Sequence, residues 1–308
     1  MRRSTVAALF AALTAALVTA LPLGAQSRCS QQGVSVQVLG SGGPRAGTER
    51  ASSSYLVWID GESRVMVDVG GGAFARFGES GASLATLDLL AISHFHPDHA
   101  SDLPALLWLS DQARPEPLPI VGPSGNDAFP SLDELLHQLF DPRAGAFRIL
   151  SGPVGGPGAG VLLEPTTVDV TRHEPVTVLE TPEVTVRALP VPHTNAPALA
   201  YRVETRGVSI VFSSDQTGAD PRFVDFVRGA DLLVMHMAIP VGSQGAVLEI
   251  HATPERVGQV ARDAGVSHLV LSHLVRTQEQ LEGAVGVVRD IYQGTMDAAR
   301  DLDCFRVG

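Results

Sequence analysis

The run His94-Phe95-His96-Pro97-Asp98-His99 constrains this chain more than any other stretch. It follows the apolar segment Leu87 to Ser93, so a buried strand delivers the chain directly to His94. His94 and His96 are two residues apart and leave an extended chain from one side. Pro97 then forces a turn that swings Asp98 and His99 toward a neighbouring point. Three imidazoles and a carboxylate at one strand-to-helix corner rarely serve packing, and they supply ligands for two adjoining metal ions.

The chain has ten histidines, and several others also stand where apolar strands end. His193 follows Leu189-Pro190-Val191-Pro192, and His273 follows Leu269-Val270-Leu271-Ser272. Asp215 closes the apolar run Val208 to Phe212 in the phrase Phe-Ser-Ser-Asp-Gln-Thr. Together these complete two sets: His94, His96 and His193 on one metal, Asp98, His99 and His273 on the other, with Asp215 able to bridge. Imidazoles with carboxylates and no thiolate favour zinc, so two Zn2+ per chain are expected, with manganese or iron left open. His236 reads as a core residue or one that stands behind the ligands, and His137, His173 and His268 as ordinary surface or helix residues.

Strands are expected at Val34 to Leu39, Tyr55 to Ile59, Arg64 to Val69 and Leu87 to Ser93, then at Val176 to Leu179, Val184 to Leu189, Ala198 to Glu204, Val208 to Ser213, Asp231 to Met237 and Leu269 to Ser272. Helices are expected over Asp102 to Gln112 and Ser131 to Phe140, after Asp220-Pro221 and Thr253-Pro254, and after Thr277. Ser131 with Glu134 and Thr277 with Gln280 read as capping boxes. The glycine- and proline-rich stretch Ser151 to Gly160 reads as a mobile surface loop. Strands and helices recur in two similar halves with no short tandem repeat, which indicates a layered α/β domain.

Met1-Arg2-Arg3 precedes an almost wholly apolar stretch from Val6 to Leu23, the pattern of a secretory signal. Cleavage after Ala25 is preferred to cleavage after Ala20, giving a signal peptide over residues 1–25 and one domain over 26–308. An uncleaved anchor is the alternative, because the apolar stretch approaches the length that spans a bilayer. The expected location is therefore periplasmic or secreted, with no stable membrane insertion once the signal is gone. Cys29 and Cys304 are the only cysteines, and in an oxidising compartment they can tie the two ends together. A net charge of −11 repels long nucleic acid over most of the surface. The chain contains no lysine, which excludes Schiff-base and lysine-nucleophile chemistry.

This pattern resembles the metallo-β-lactamase superfamily, which implies a four-layered αββα sandwich with the metals at one edge of two sheets. Asp68, in Met66-Val67-Asp68-Val69-Gly70, matches the family's aspartate behind the metal ligands, although an aspartate closing a strand into a glycine turn reads equally well. Leu39-Gly40-Ser41-Gly42-Gly43-Pro44-Arg45, the phrase FSSDQTG and Ile250-His251-Ala252-Thr253 look like the branch containing ribonuclease Z and the zinc-dependent arylsulfatases. In that branch the histidine at the place of His251 protonates the leaving group. Two departures matter. The tRNA-processing enzymes insert a long flexible arm where Tyr201 to Glu204 here runs through a short turn into Val208. They also commonly read His-Glu-Ala-Thr where this chain has His236-Met237-Ala238-Ile239.

The resemblance implies a dinuclear-zinc hydrolase that cleaves a small phosphodiester or sulfate ester with a hydroxide shared between two metals, and the signal segment makes it an exported one. Asp98 and Asp215 would orient that hydroxide, and His251 would protonate the departing oxygen. No tRNA partner is expected, and a homodimer is compatible with the sequence. The runner-up is a lactone or β-lactam hydrolase, and a third reading is a non-catalytic periplasmic zinc-binding protein. A redox role is disfavoured, because the family's di-iron oxidoreductases carry a glutamate where His96 stands.

Overall fold

The computed structural model describes residues 29, 31–46, 48–108, 114, 116–274 and 277–308. The expected signal segment lies outside them. Strands and helices are numbered in chain order. The first sheet runs β14-β1-β2-β3-β4-β5-β6. These are Cys304–Val307, Val34–Gly40, Ser54–Ile59, Glu62–Val67, Leu89–Ala91, Leu118–Pro123 and Leu163–Val168. The second runs β13-β12-β11-β10-β9-β8-β7, from Thr295–Ala298 through His268–Ser272, Leu232–His236, Val208–Phe212, Ala198–Thr205 and Val184–Val191 to Val176–Glu180.

Both faces of these sheets are covered, so the inner strands are apolar on both sides rather than alternating with polar residues. In β2, Tyr55, Val57 and Ile59 enter the layer between the sheets, where they meet Val186, Leu199, Ile210, Val234 and Val270. Leu56 and Trp58 of the same strand face outward onto a core with Phe77, Leu103, Leu136 and Phe140. Those outer residues come from α1 (Ala73–Ser80), α3 (Leu103–Leu107) and α4 (Leu132–Phe140). The second sheet is covered in the same way by α5 (Pro221–Val227), α6 (Pro254–Asp263) and α7 (Gln278–Ile291). Val211, Leu233, Met235 and Leu269 pack there against Phe223, Val257, Val260 and Val288. The result is the four-layered αββα sandwich.

The expected helix starts are present. Ser131 with Glu134 and Thr277 with Gln280 form full capping boxes, and Asp220 and Thr253 cap α5 and α6 with a proline at the first turn. Several expectations need correction. Strand β4 is only three residues long, because the chain leaves the ladder early to build the site. The helix expected over Asp102 to Gln112 is described only as α3; residues 109–113 lie outside the described set. His268 opens β12, one residue before the expected start of that strand. Strands β5, β6, β13 and β14 were absent from the sequence reading, being short or interrupted by proline or charge. The stretch Ser151 to Gly160 is a turn wound around Ser151, with most of its later residues exposed. Ser151 accepts backbone hydrogen bonds from Gly156 and, through its hydroxyl, from Gly158, while Gly152 donates to Ala159. Ser151 and Pro153 are buried.

Cys29 and Cys304 form a disulfide with Cα atoms 5.5 Å apart, fastening the N-terminal segment to edge strand β14. Among the described residues no helix is long and apolar enough to cross a membrane.

Candidate metal centre

The site lies along one edge of both sheets, where strands end. Strand β4 leads through Ser93 to His94, and His96 is the N-cap of α2 (Pro97–Ala100), which carries Asp98 and His99. From the second sheet, β8 leads to His193, β10 to Asp215, β11 ends on His236 and β12 leads to His273. The chain must turn sharply at each of these ends. Asp68, Thr194, Ser214 and His273 all adopt positive φ, between 48° and 61°. Such left-handed conformations at non-glycine residues each cost about 1–3 kcal/mol and persist only where the surroundings enforce them. Gly70 is required for a different reason. A Cβ there would lie 2.1 Å from the carbonyl oxygen of Asp98, so only glycine lets the β3 turn pack under α2.

One group of ligand atoms comprises His94, His96, His193 and Asp215. His94 Nε2 and His96 Nδ1 are 3.0 Å apart, and His193 Nε2 is 3.4 Å from His96 Nδ1. The hydrogen bonds behind these rings fix which nitrogen faces inward. His193 Nδ1 donates to the carbonyl of Ile250 at 3.0 Å, leaving the lone pair of Nε2 toward the centre. The Ser93 hydroxyl donates to Asp68 Oδ2 at 2.8 Å, so it can accept from His94 Nδ1 at 3.1 Å, and His94 Nε2 also presents a lone pair. Burial holds the pKa of His94 well below the ordinary range and lowers those of His96 and His193, so all three rings are neutral at neutral pH. With His96 Nδ1 3.0 and 3.4 Å from His94 Nε2 and His193 Nε2, three ring nitrogens converge as ligands of one metal do.

The second group gathers His99, His273, His236 and Asp215, with Asp98 beside it. Asp98 Oδ2 lies 3.1 Å from His273 Nε2 and 3.5 Å from His99 Nε2. His99 Nδ1 donates to Asp68 Oδ2 at 2.8 Å. His99 Nε2 is buried without a hydrogen-bond partner, because the carboxylates of Asp98 and Asp215 stand off at 3.5 and 3.6 Å. Asp215 occupies the middle. Its carboxylate is 3.9, 3.6, 3.8 and 3.3 Å from the ring nitrogens of His94, His99, His193 and His273 respectively.

The charges agree with this geometry. Asp68, Asp98 and Asp215 are buried, and among the described residues no arginine pairs with any of them. Burial alone would raise the carboxyl of Asp215, but the charges of His273 and His99 and the hydrogen bond from His236 hold it well below the usual range. Asp98 is lowered too, because the hydrogen bond and charge of His273 outweigh its burial. Burial would likewise lower His99, yet Asp68 and Asp215 hold it well above its ordinary value. Buried carboxylates among converging imidazoles, three of them neutral, together with the orphaned ring nitrogen of His99, fit divalent metal.

Every ligand position expected from the sequence is therefore brought to this edge. His251 joins them from the turn before α6, with Nδ1 4.0 Å from Asp215 Oδ2 and its side chain 16% exposed at the mouth. Burial lowers its pKa to about 4. The sequence reading left Asp68 undecided; the structure gives it the orientation of His99 and, through Ser93, of His94. It also missed two tyrosines. The Tyr55 hydroxyl lies 3.0 Å from His236 Nε2 and 2.9 Å from Ser272 Oγ, and that of Tyr201 donates to Ile92 at 2.7 Å. His236 Nδ1 in turn donates to Asp215 Oδ1 at 2.7 Å, so Tyr55 and His236 hold the central carboxylate from behind. Tyr55 and Tyr201 sit within largely buried strands, where nothing in the local pattern separates them from core aromatics.

A family model described as a beta-lactamase superfamily domain matches residues 63–274, which include every one of these ligand positions. The chain belongs to the beta-lactamase superfamily. It is thereby a member of a superfamily of metal-dependent hydrolases. Among its relatives, a ribonuclease Z of Mycolicibacterium paratuberculosis is 31% identical over 259 residues, covering 79% of this chain and 86% of the relative. The short form of human tRNase Z superposes with a TM-score of 0.68 at 20% identity, covering 89% of this chain and 99% of that one. The metallo-beta-lactamase fold protein YhfI from Bacillus subtilis gives a TM-score of 0.68 at 20% identity, over 88% and 98% of the two chains. These two likenesses concern the fold.

Proposed function

We propose that this chain is an exported dinuclear-zinc hydrolase of small anionic esters, phosphodiesters or sulfate esters. The observation that carries the reading is the placement of His251 at the mouth of a two-lobed ligand set centred on Asp215. His94, His96 and His193 would hold one zinc, Asp98, His99 and His273 the other, with Asp215 between them. When bound, the pair supplies Lewis acidity and a water deprotonated at neutral pH.

The chain's own residues do the rest. Asp98 and Asp215 accept hydrogen bonds and orient the nucleophile. Asp68 and His236 keep His99 and Asp215 in place. Protonation of the leaving oxygen falls to His251, whose burial makes it neutral at pH 7 until a negative charge arrives. An anionic phosphate or sulfate ester set beside the ring raises its pKa and recruits the proton the leaving group needs, whereas a neutral lactone does not. This favours anionic esters over a neutral lactone. A non-catalytic zinc-binding role would not require an imidazole at this mouth.

A small substrate is supported by the two-residue turn Arg206-Gly207 joining β9 and β10, where the tRNA-processing branch carries an arm, and by the net charge of −11. Likeness to proteins called ribonuclease Z favours a second reading, cleavage of a tRNA precursor. Export is supported by the sequence pattern before Cys29 and by the disulfide.

The test is a panel of bis-aryl phosphate, aryl sulfate, lactone, β-lactam and tRNA precursor with zinc-loaded protein. Turnover of the phosphate or sulfate is expected. Cleavage of the tRNA precursor alone would establish the second reading, and inactivity on the whole panel would defeat both.

A further inference from the structure

Asp301 lies in the turn after β13, outside both groups of candidate ligands. Its side chain is 9% exposed. Oδ1 accepts from the backbone N–H and the hydroxyl of Ser41 at 3.0 and 2.8 Å. Oδ2 accepts from the backbone N–H of Ala51 at 2.7 Å and from Arg76 Nε at 3.3 Å. Ser41 and Ala51 are the two stems of the loop between β1 and β2. One carboxylate thus clamps that loop shut, helped by a hydrogen bond from Gly42 to Ala51 at 2.8 Å.

The clamped stems lead to the metal centre by two routes. The carbonyl of Ser41 accepts from Leu274 at 2.8 Å, and Gly42 bridges to the same residue. Leu274 follows His273, whose φ of 56° must be enforced from outside. On the other stem, Ser53 accepts from Gly70 at 3.1 Å and Ser52 donates to Gly71 at 2.8 Å. Gly70 is the residue packed against the carbonyl of Asp98. The loop therefore braces the backbone at Asp98 and His273. Among the described residues, none of its backbone hydrogen bonds reaches His94, His96 or His193.

We propose that Asp301 is a positioning residue for the metal held by Asp98, His99 and His273, and that its loss weakens this ion selectively. The proposal rests on the two-metal reading. It is tested by titrating cobalt(II) into the metal-free full chain while following visible absorption and melting temperature. The wild type should show two binding steps. Asp301→Ala should retain one step unchanged and weaken the other by about tenfold or more. Asp301→Asn keeps an acceptor for Ser41 and should lie between, which preserves the test if the alanine variant folds poorly. Asp231→Ala serves as a control. Asp231 Oδ2 accepts from the backbone and hydroxyl of Ser209 at 2.7 and 3.2 Å, at the opposite end of β10 and β11. This variant should lower the melting temperature and leave both steps intact. Equal weakening of both steps in the Asp301 variants, or of neither, would overturn the proposal. A wild type with fewer than two steps would instead defeat the two-metal reading itself, and the proposal with it.

Discussion

Asp68 shows how one side chain governs a centre it does not enter. Its two oxygens take the backbone and hydroxyl of Ser93 and the Nδ1–H of His99, and so fix both His99 and His94. Asp68→Ala frees both rings, and metal affinity should fall by about 10–100-fold in equilibrium dialysis. His251 makes the opposite prediction. Among the described residues its one carboxylate contact is Asp215 at 4.0 Å, so His251→Ala should retain metal while ester turnover falls by about 10²–10⁴-fold. The loss should be larger for an alkyl than for a nitrophenyl leaving group, because only the poorer leaving group needs the proton. Metal loss in this variant would assign His251 to the ligands instead.

The strand ends do the positioning, and this scale also sets what the sequence can disclose. His94 to His99, His193, Asp215 and His273 were legible because each stands where an apolar run stops, and a polar ligand at such a place has no packing role. Helices α4 to α7 were legible from their caps, whereas α1, whose N-cap Gly72 offers no side chain, was not. Tyr55, Ser272 and Ser93 were not, since their importance depends on which strand of the other sheet lies opposite, a relation with no local signature. Strands β13 and β14 were likewise hidden, because their pairing is set by the long return of the chain to both sheet edges. At this scale Gly70→Ala is the sharpest test. The added methyl meets backbone at Asp98 and cannot be accommodated by a rotamer change. Stability in chemical denaturation should drop by several kcal/mol, about 2–5 by analogy with strained core sites, and an unchanged midpoint would contradict the packing described.

Over the whole molecule, two features set stability. The disulfide joins residues 275 apart in sequence, and its removal in a Cys29→Ser/Cys304→Ser variant should cost about 2–5 kcal/mol. The second feature is pH. In the metal-free protein, burial lowers the pKa of His94, His96, His193, His236 and His251, the last two to about 4. Below an ordinary imidazole value of 6.5 the unfolded chain takes up protons that these folded rings refuse, so stability falls as pH drops from there. The depressed carboxyls of Asp98 and Asp215 add to the loss near and below pH 4. His99, raised in the folded state, opposes this trend at low pH, and its contribution is lost only as pH rises through its elevated value. The denaturation midpoint of chelator-treated protein should therefore decline between pH 7 and pH 5, and a flat profile would contradict the burial of these rings. The central claim is that Asp215 stands between two metal sites. The most direct measurement is the zinc-to-chain ratio, by plasma emission, of wild type and Asp215→Ala after dialysis against metal-free buffer. The account predicts about two ions per chain in the wild type and a clear loss in the variant. A wild type that retains no stoichiometric metal, or a variant that retains the full complement, would contradict it.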